Sequence, residues 1–408
     1  MSGSEALFKG LRVIDVGNFV AAPAAATILS DFGADVIKIE PPTGDPYRSL
    51  STQPGYPRSD QNYCWDLDSR NKRSLALNLT HPEARAILHD LVRGADVVIT
   101  NTPLGNRSKL GLDYPSLKAL NARLVYASFT AYGERGKEAN LAGFDSTAWW
   151  ARSGLMDQVR SDSDTTPSRS SPAMGDHQSA LALYASIATA LYRRAVTGEG
   201  SYVSSSLIAN GAWANGCLLQ AALAGAQFSR RPPRSEVKMP LSNHYQCGDG
   251  RWLMLSMSVS PVLEQRCWPQ FATILGHPEW IDEARFASRE SRAENHKALV
   301  AALDQAFLQR DARVWRELLA EAGIAVALVA RSQDINDDQQ MLDGGVLAAM
   351  PEGAGARYTI STPFAIAEAP KVPVRRAPEI GQHTEEVLRE LGYDTQRIAG
   401  LRAGGIVS

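Results

Sequence analysis

Leu11-Arg12-Val13-Ile14-Asp15-Val16, an alanine-rich run from Pro23 to Phe32, and Asp35-Val36-Ile37-Lys38-Ile39-Glu40 read in order as strand, helix and strand. The first stretch is short and apolar. The middle one has a spacing that suits a helix, and Gly33 stands where a C-terminal cap belongs. The rhythm then repeats. Thr80-His81-Pro82-Glu83 opens a helix with a capping Thr, Pro in the first turn and an early acid, running to about Gly94. Asp96–Thr100 is the next strand, Tyr114–Asn121 the next helix and Leu124–Phe129 a further strand. Such a βαβα order implies an α/β fold with a largely parallel, Rossmann-like sheet covered by helices on both faces.

Beyond the sheet, Arg160 to Pro172 is polar and broken by prolines, so it is expected to be a surface loop. A helix from about Asp176 to Val196 follows, stopped by Gly198 and Gly200, and another covers roughly Leu207 to Leu223. Gln227–Arg234 is basic, contains Pro232-Pro233, and reads as a linker. His244–Ser256 reads as a hairpin about Gly248-Asp249-Gly250, and helical patterns continue to Ala322. The expected organisation is therefore a large domain at 1–227, a smaller α+β domain at 228–330, and a segment at 331–408 that returns to the large domain.

The 408 residues exceed one ordinary core, which agrees with two domains. With 42 basic against 44 acidic residues the net charge is −2, which argues against nucleic-acid or membrane-surface partners. Cys64, Cys217, Cys247 and Cys267 show no paired spacing, so neither a disulfide framework nor a zinc site is expected, and a cytoplasmic location is. Met1 to Lys9 has no apolar run behind a basic segment, so no signal peptide is expected, and no stretch has the roughly 20 apolar residues of a membrane span.

Gly17 follows the first strand without a G-x-G-x-x-G, and no Walker loop, G-x-S-x-G elbow or H-E-x-x-H pair occurs. These absences count against dehydrogenases, kinases, serine hydrolases and zinc hydrolases; no metal and no nucleotide cofactor are expected. Gly175-Asp176-His177 lies where the polar loop meets a long helix. From position alone Asp176 reads first as a helix cap, with its pKa held low by the helix end. An ionised carboxylate there is also a usable nucleophile toward an activated acyl group. His177 points about a quarter-turn away, so adjacency alone makes no acid–base pair. Arg48, Arg70, Lys72, Arg73, Arg107 and Lys109 fall near strand ends or in loops, where an open sheet binds ligands; they read either as a phosphate site or as a solvated surface. Trp149-Trp150 reads as core or as one wall of an acyl pocket.

Six segments, in order along nearly the whole chain, resemble the class III CoA-transferases, the formyl-CoA transferase family that includes carnitine CoA-transferase and 2-methylacyl-CoA racemase. They are Gly10–Asp15 continuing through Ala22-Pro23 to Phe32–Pro41, Asn71–Leu79, Ala95–Asn101, Gly143-Phe144-Asp145 with Ser153–Met156, Met174–His177 with Thr197–Gly200, and Ala377–Thr384 with Leu391-Gly392-Tyr393. Asn18–Ala25, Gly143–Ala148 and Gly175–Gln178 are most similar to the 2-hydroxyacyl and aryl-lactate CoA-transferases.

The resemblance implies coenzyme A, carried as acyl-CoA, and a small organic acid as substrates. It also implies an interlocked homodimer and Asp176 as the nucleophile. The CoA-contacting positions carried over are Val20, Ala21, Leu77, Asn78, Asn101, Lys109, Phe144 and Asp145, with Lys109 as phosphate partner. Three departures stand out. Arg230–Arg234 and Glu236–Pro240 replace the formyl-CoA branch's glycine run, Thr80 replaces a basic position, and Phe144 replaces the racemase branch's histidine. The last speaks against two-base proton exchange at an α-carbon. The rival readings are a racemase-like isomerase, a catalytically silent acyl-CoA-binding subunit, and a dinucleotide-dependent oxidoreductase.

Overall fold

Strands β1 (Arg12–Asp15), β2 (Asp35–Glu40), β3 (Arg73–Ala76), β4 (Val97–Thr100), β5 (Val125–Thr130) and β6 (Ser201–Ser206) form one sheet in the order β3-β2-β1-β4-β5-β6. All five pairings are parallel. This is the order of doubly wound folds. The structure is a computed structural model and describes residues 5–258 and 260–408; Val259 and Met1–Ser4, the start of the stretch read above for a signal peptide, lie outside the described residues.

The four strands read from sequence lie within a residue of their expected bounds. The two that were not read, β3 and β6, are the two edges. β6 is Ser-Tyr-Val-Ser-Ser-Ser and leaves alternate residues exposed, so it lacks the apolar run of a central strand. β3 is Arg-Ser-Leu-Ala, whose one large apolar residue, Leu75, makes no run.

The connections are α1 (Ala21–Asp31), α2 (Tyr63–Ser69), α3 (Pro82–Arg93), the single turn α4 (Leu104–Arg107), α5 (Tyr114–Leu120), the single turn α6 (Leu155–Gln158), α7 (Met174–Thr197), α8 (Leu207–Ala214) and α9 (Gly216–Leu223). Strand alternation separates two cores. Val13, Val36, Val97, Ile99, Val125 and Ala127 face α1, Trp149, Trp150 and α7. Ile14, Ile37, Ile39, Val98 and Tyr126 face α3 and the C-terminal residues Val387, Leu388, Ile398 and Leu401. All eleven residues of α1 are buried, which its five alanines permit. The cap of α3 differs from expectation: the His81 ring, not Thr80, accepts the Glu83 N–H at 3.3 Å, because the Thr80 hydroxyl donates to Asn78 Oδ1 at 2.6 Å.

The chain divides into two compact units. The first is Met1–Gln158, Ser168–Gly225 and Gln339–Ser408, so the C-terminal segment belongs with the six-stranded sheet. Within this unit β10 (Leu347–Ala349) and β11 (Tyr358–Ile360) make a small antiparallel ribbon. The second unit is Val159–Pro167 and Ala226–Asp338. It carries the antiparallel sheet β7 (His244–Gln246), β8 (Trp252–Leu255), β9 (Val326–Leu328) over a core that includes Trp268, Phe271, Phe307 and Trp315. Among the described residues no helix is long and apolar enough to cross a membrane.

Candidate active site

β1 and β4 are neighbours from which the strand order runs outward in both directions, and a doubly wound sheet opens a crevice at the carboxyl ends of such a pair. Two asparagines join those ends. Asn18 N–H donates to Asn101 Oδ1 and Asn101 Nδ2 donates to Asn18 O, each at 2.8 Å. Gly17 makes the turn because a Cβ there would lie 2.8 Å from Ala22 Cβ and 2.9 Å from Pro23 Cδ. Phe19 then takes φ +59°, a left-handed conformation costly for a bulky residue. Its ring meets Phe144 edge-to-face at 6.0 Å.

A cavity of about 350 Å³ opens here, bounded by Val20, Ala21, Asn101, Phe129, Phe144 and Leu207 among others. Asp176 supplies the only charged side chain among the described lining residues.

Asp176 is the third residue of α7, not its cap. The cap position is Ala173, at φ +57° and with no side-chain hydrogen bond. Gly175 lies flat on Trp149, since a Cβ at 175 would come within 2.6 Å of Trp149 Cγ and Cδ2. Trp149 stacks on Trp150 with centroids 5.7 Å apart and planes 8° apart, and Trp150 Nε1 donates to Ser168 O at 2.7 Å. The tryptophan pair is core, and it forms the plate against which the start of α7 rests.

Among the described residues the Asp176 carboxylate makes no hydrogen bond. Burial first, then the negative charges of Asp145 and Asp68, push its pKa up to about 7 against the pull of His177. This corrects the expectation of a low value: the dipole of a helix end does not offset burial beside two like charges. Asp145 accepts from Ser146 N–H at 2.6 Å, its Oδ2 is buried with no partner among the described residues, and burial raises its pKa. His177 Nε2 meets Asp68 Oδ1 at 3.0 Å, and Tyr47 OH donates to Asp68 Oδ2 at 2.5 Å. Burial favours the neutral imidazole, but Asp68 and Asp176 outweigh it and raise the His177 pKa.

Of the positions expected to contact CoA, Val20, Ala21, Asn101 and Phe144 come together with Asp176 at the cavity, and Asp145 directly follows Phe144. Leu77, Asn78 and Lys109 do not line it. Leu77 is buried past the end of β3, Asn78 accepts from Thr80, and Lys109 is exposed.

The other five cations are neither a phosphate cluster nor a solvated surface. Arg48 forks onto Glu40 at 2.8 and 2.7 Å, and Arg70 onto Asp31 at 2.9 and 2.7 Å. Lys72 pairs with Asp15 at 2.9 Å, both fully buried. Arg73 binds Asp35 and Glu390, each at 2.6 Å, and Arg107 donates to Ser128 Oγ at 2.8 Å. Lys109 makes no ion pair among the described residues. Sequence reasoning missed Phe19, Phe129 and Leu207 as lining and Asp68 and Tyr47 as neighbours of the site. Phe19 sits inside the quoted Asn18–Ala25 segment, whereas nothing local marks Asp68.

The model of CoA-transferase family III matches residues 8–384. The chain is 33% identical over 405 residues to the cinnamoyl-CoA:phenyllactate CoA-transferase of Clostridium sporogenes, covering 98% of this chain and 97% of that one. It is 31% identical to the (R)-2-hydroxy-4-methylpentanoate CoA-transferase of Clostridioides difficile, covering 98% and 99%. The crystal structure of a CAIB/BAIF family protein from Brucella suis superposes with a TM-score of 0.82 at 28% identity, covering 95% of this chain and 100% of that one.

Proposed function

The chain belongs to CoA-transferase family III and is a CoA-transferase, and from that premise we propose that it moves coenzyme A between carboxylic acids by covalent catalysis at Asp176. The observation that carries this reading is that Asp176, with an unbonded carboxylate, is the sole charged group among the described lining residues of the crevice at the β1/β4 ends. A carboxylate whose pKa is about 7 is more basic than an ordinary one, yet is substantially ionised at neutral pH.

Asp176 attacks the donor thioester carbonyl, the C–S bond breaks, and a mixed anhydride and CoA thiolate result. The thiolate attacks the aspartyl carbonyl, releasing the first acid as its carboxylate and leaving an aspartyl-CoA thioester. The acceptor carboxylate then attacks that thioester to form a second anhydride. The thiolate takes the acceptor's acyl group and frees Asp176. One thioester replaces another, so no phosphate cleavage is needed.

The acceptor is a 2-hydroxy acid with an apolar or aromatic side chain. Two relatives carry such acids in their names, and Phe19, Leu104, Phe129, Phe144 and Leu207 give the cavity an apolar wall. A second carboxylate would meet no cationic side chain among the described lining residues. Val20, Ala21, Asn101, Phe144 and Asp145 contact CoA near its thiol end, Asn78 further along, and Lys109 at a phosphate, while the buried Leu77 supports the end of β3 from the core. The chain works as an interlocked homodimer in the cytoplasm; Trp213 at 88% and Leu223 at 82% exposure on α8 and α9 support a partner over that surface.

The test is a panel of acyl-CoA donors against 2-hydroxy, aryl and dicarboxylic acceptors, with products separated by chromatography. Transfer to 2-hydroxy and aryl acids that vanishes in Asp176→Ala is expected. An active Asp176→Ala variant would sink the mechanism. Exchange of an α-hydrogen with heavy water in place of transfer would favour the isomerase reading.

A further inference from the structure

Three carboxyl groups crowd the start of α7: Asp176 itself, Asp145 from the helical turn Asp145–Ala151, and Asp68 from α2. One imidazole stands among them: His177, next to Asp176 in α7, with Nε2 3.0 Å from Asp68 Oδ1. Arg70, the guanidinium that acts on that imidazole, is committed to Asp31 through two hydrogen bonds. Cys64 and Tyr47, behind Asp68, are neutral groups whose ionisation burial opposes. His177 is therefore the cation available to Asp176.

Its partner is fixed. Asp68 is 3% exposed; one carboxylate oxygen accepts from the His177 ring, the other from Tyr47 OH, and its main-chain oxygen accepts from Thr27 Oγ1. With Nε2–H directed at Asp68, Nδ1 is the atom that gains or loses the second proton. It has no hydrogen-bond partner among the described residues.

We propose that His177, held as an imidazolium by Asp68, is a positioning residue that keeps Asp176 ionised at the working pH. The inference rests on the reading of Asp176 as nucleophile. Burial, Asp145 and Asp68 all favour a protonated, unreactive Asp176, and His177 alone opposes them. As pH falls, Asp176 takes up a proton and reactivity is lost; an adjacent positive charge delays that step to lower pH. Without it the step comes earlier, at higher pH.

The experiment is the pH dependence of kcat/KM, whose acid limb reports the free enzyme, for wild type, His177→Gln, His177→Lys and Asp176→Ala. An opposite charge nearby moves a carboxyl pKa by about 1 to 3 units, and the part-exposed His177 belongs at the low end. His177→Gln is expected to move the acid limb up by about one pH unit. It should cost up to roughly tenfold at pH 7, with recovery to near wild type at pH 9. His177→Lys, which restores the charge, should keep the limb at or below its wild-type position. A loss in His177→Gln that is equal at every pH, an unmoved limb, or a Lys variant that behaves as Gln would each overturn the inference. An active Asp176→Ala would instead remove the nucleophile on which it rests. A dead Asp176→Ala with an unmoved limb in His177→Gln removes only the role of His177.

Discussion

Gly175→Ala tests how the fold aims Asp176. The added carbon would sit 2.6 Å from Trp149 Cγ and Cδ2 and 2.8 Å from its Cβ. Carbons in contact lie about 3.5–4.0 Å apart, so helix and indole must separate by about 1 Å. The indole has little room to move. Its far side carries Trp150, and its own carbonyl is pressed by Gly211, where a Cβ would meet Trp149 O at 2.3 Å. Alanine is the better helix former by up to ~1 kcal/mol, but overpacking of this kind costs about 1–3 kcal/mol, so net destabilisation is expected. If the start of α7 yields instead, Asp176 moves with it, and a misplacement of ~1 Å costs on the order of 100-fold in rate. The assays are urea unfolding followed by tryptophan fluorescence, and kcat/KM for acyl-CoA. Gly400→Ala is the control. It lies in the helix Thr395–Ala403 with nothing within 4 Å of the new carbon, and should stabilise by about 0.5–1 kcal/mol. A Gly175→Ala protein as stable and as active as wild type would refute the packing argument.

Other variants probe the charges. Lys72→Met leaves Asp15 buried without its nearest cation and should cost about 3–5 kcal/mol in urea unfolding. Burial alone would raise the Asp15 pKa, but Lys72 and Lys38 outweigh it and hold the carboxyl below its usual range. Its contribution is therefore full above the ordinary carboxylate pKa and lost as pH falls through the depressed one, so the urea midpoint should drop toward pH 3, less steeply in Asp15→Asn. Lys109→Ala should raise KM for acyl-CoA roughly 3- to 10-fold with kcat unchanged, an effect that shrinks at high salt; a salt-independent change would count against a phosphate contact. In the wild type the acid limb of kcat/KM should fall near pH 7, because Asp176 titrates there; a limb near pH 4 would contradict the crowding of Asp145 and Asp68 around it.

What was legible in the sequence follows from where each signal is stored. β1, β4 and β5 carry their burial in short apolar runs and β2 in Val36, Ile37 and Ile39 between its charged residues, so these four could be read locally. The edge strands β3 and β6 could not, because their pairing is decided by a neighbour far along the chain, Ile37 opposite Arg73 and Val125 opposite Ser201. The charged residues Lys72, Arg70 and Arg48 read as ligand groups or as solvated surface, because nothing local shows that Asp15, Asp31 and Glu40 lie opposite them. The same limit applied at Asp176. Its helix was visible, but the crowding by Asp68 and Asp145 that reverses its expected acidity comes from residues far back along the chain. Trp149-Trp150 could have lined a pocket or filled the core; the missing Cβ of Gly175 decides for the core.

The most direct measurement is to trap the covalent state. The protein is incubated with an acyl-CoA that it turns over, quenched with hydroxylamine during turnover, digested and read by mass spectrometry. The account predicts a hydroxamate on Asp176 that forms only when acyl-CoA is present and is missing in Asp176→Ala. Full turnover with an unmodified Asp176, or a hydroxamate on another carboxylate such as Asp145, would contradict it.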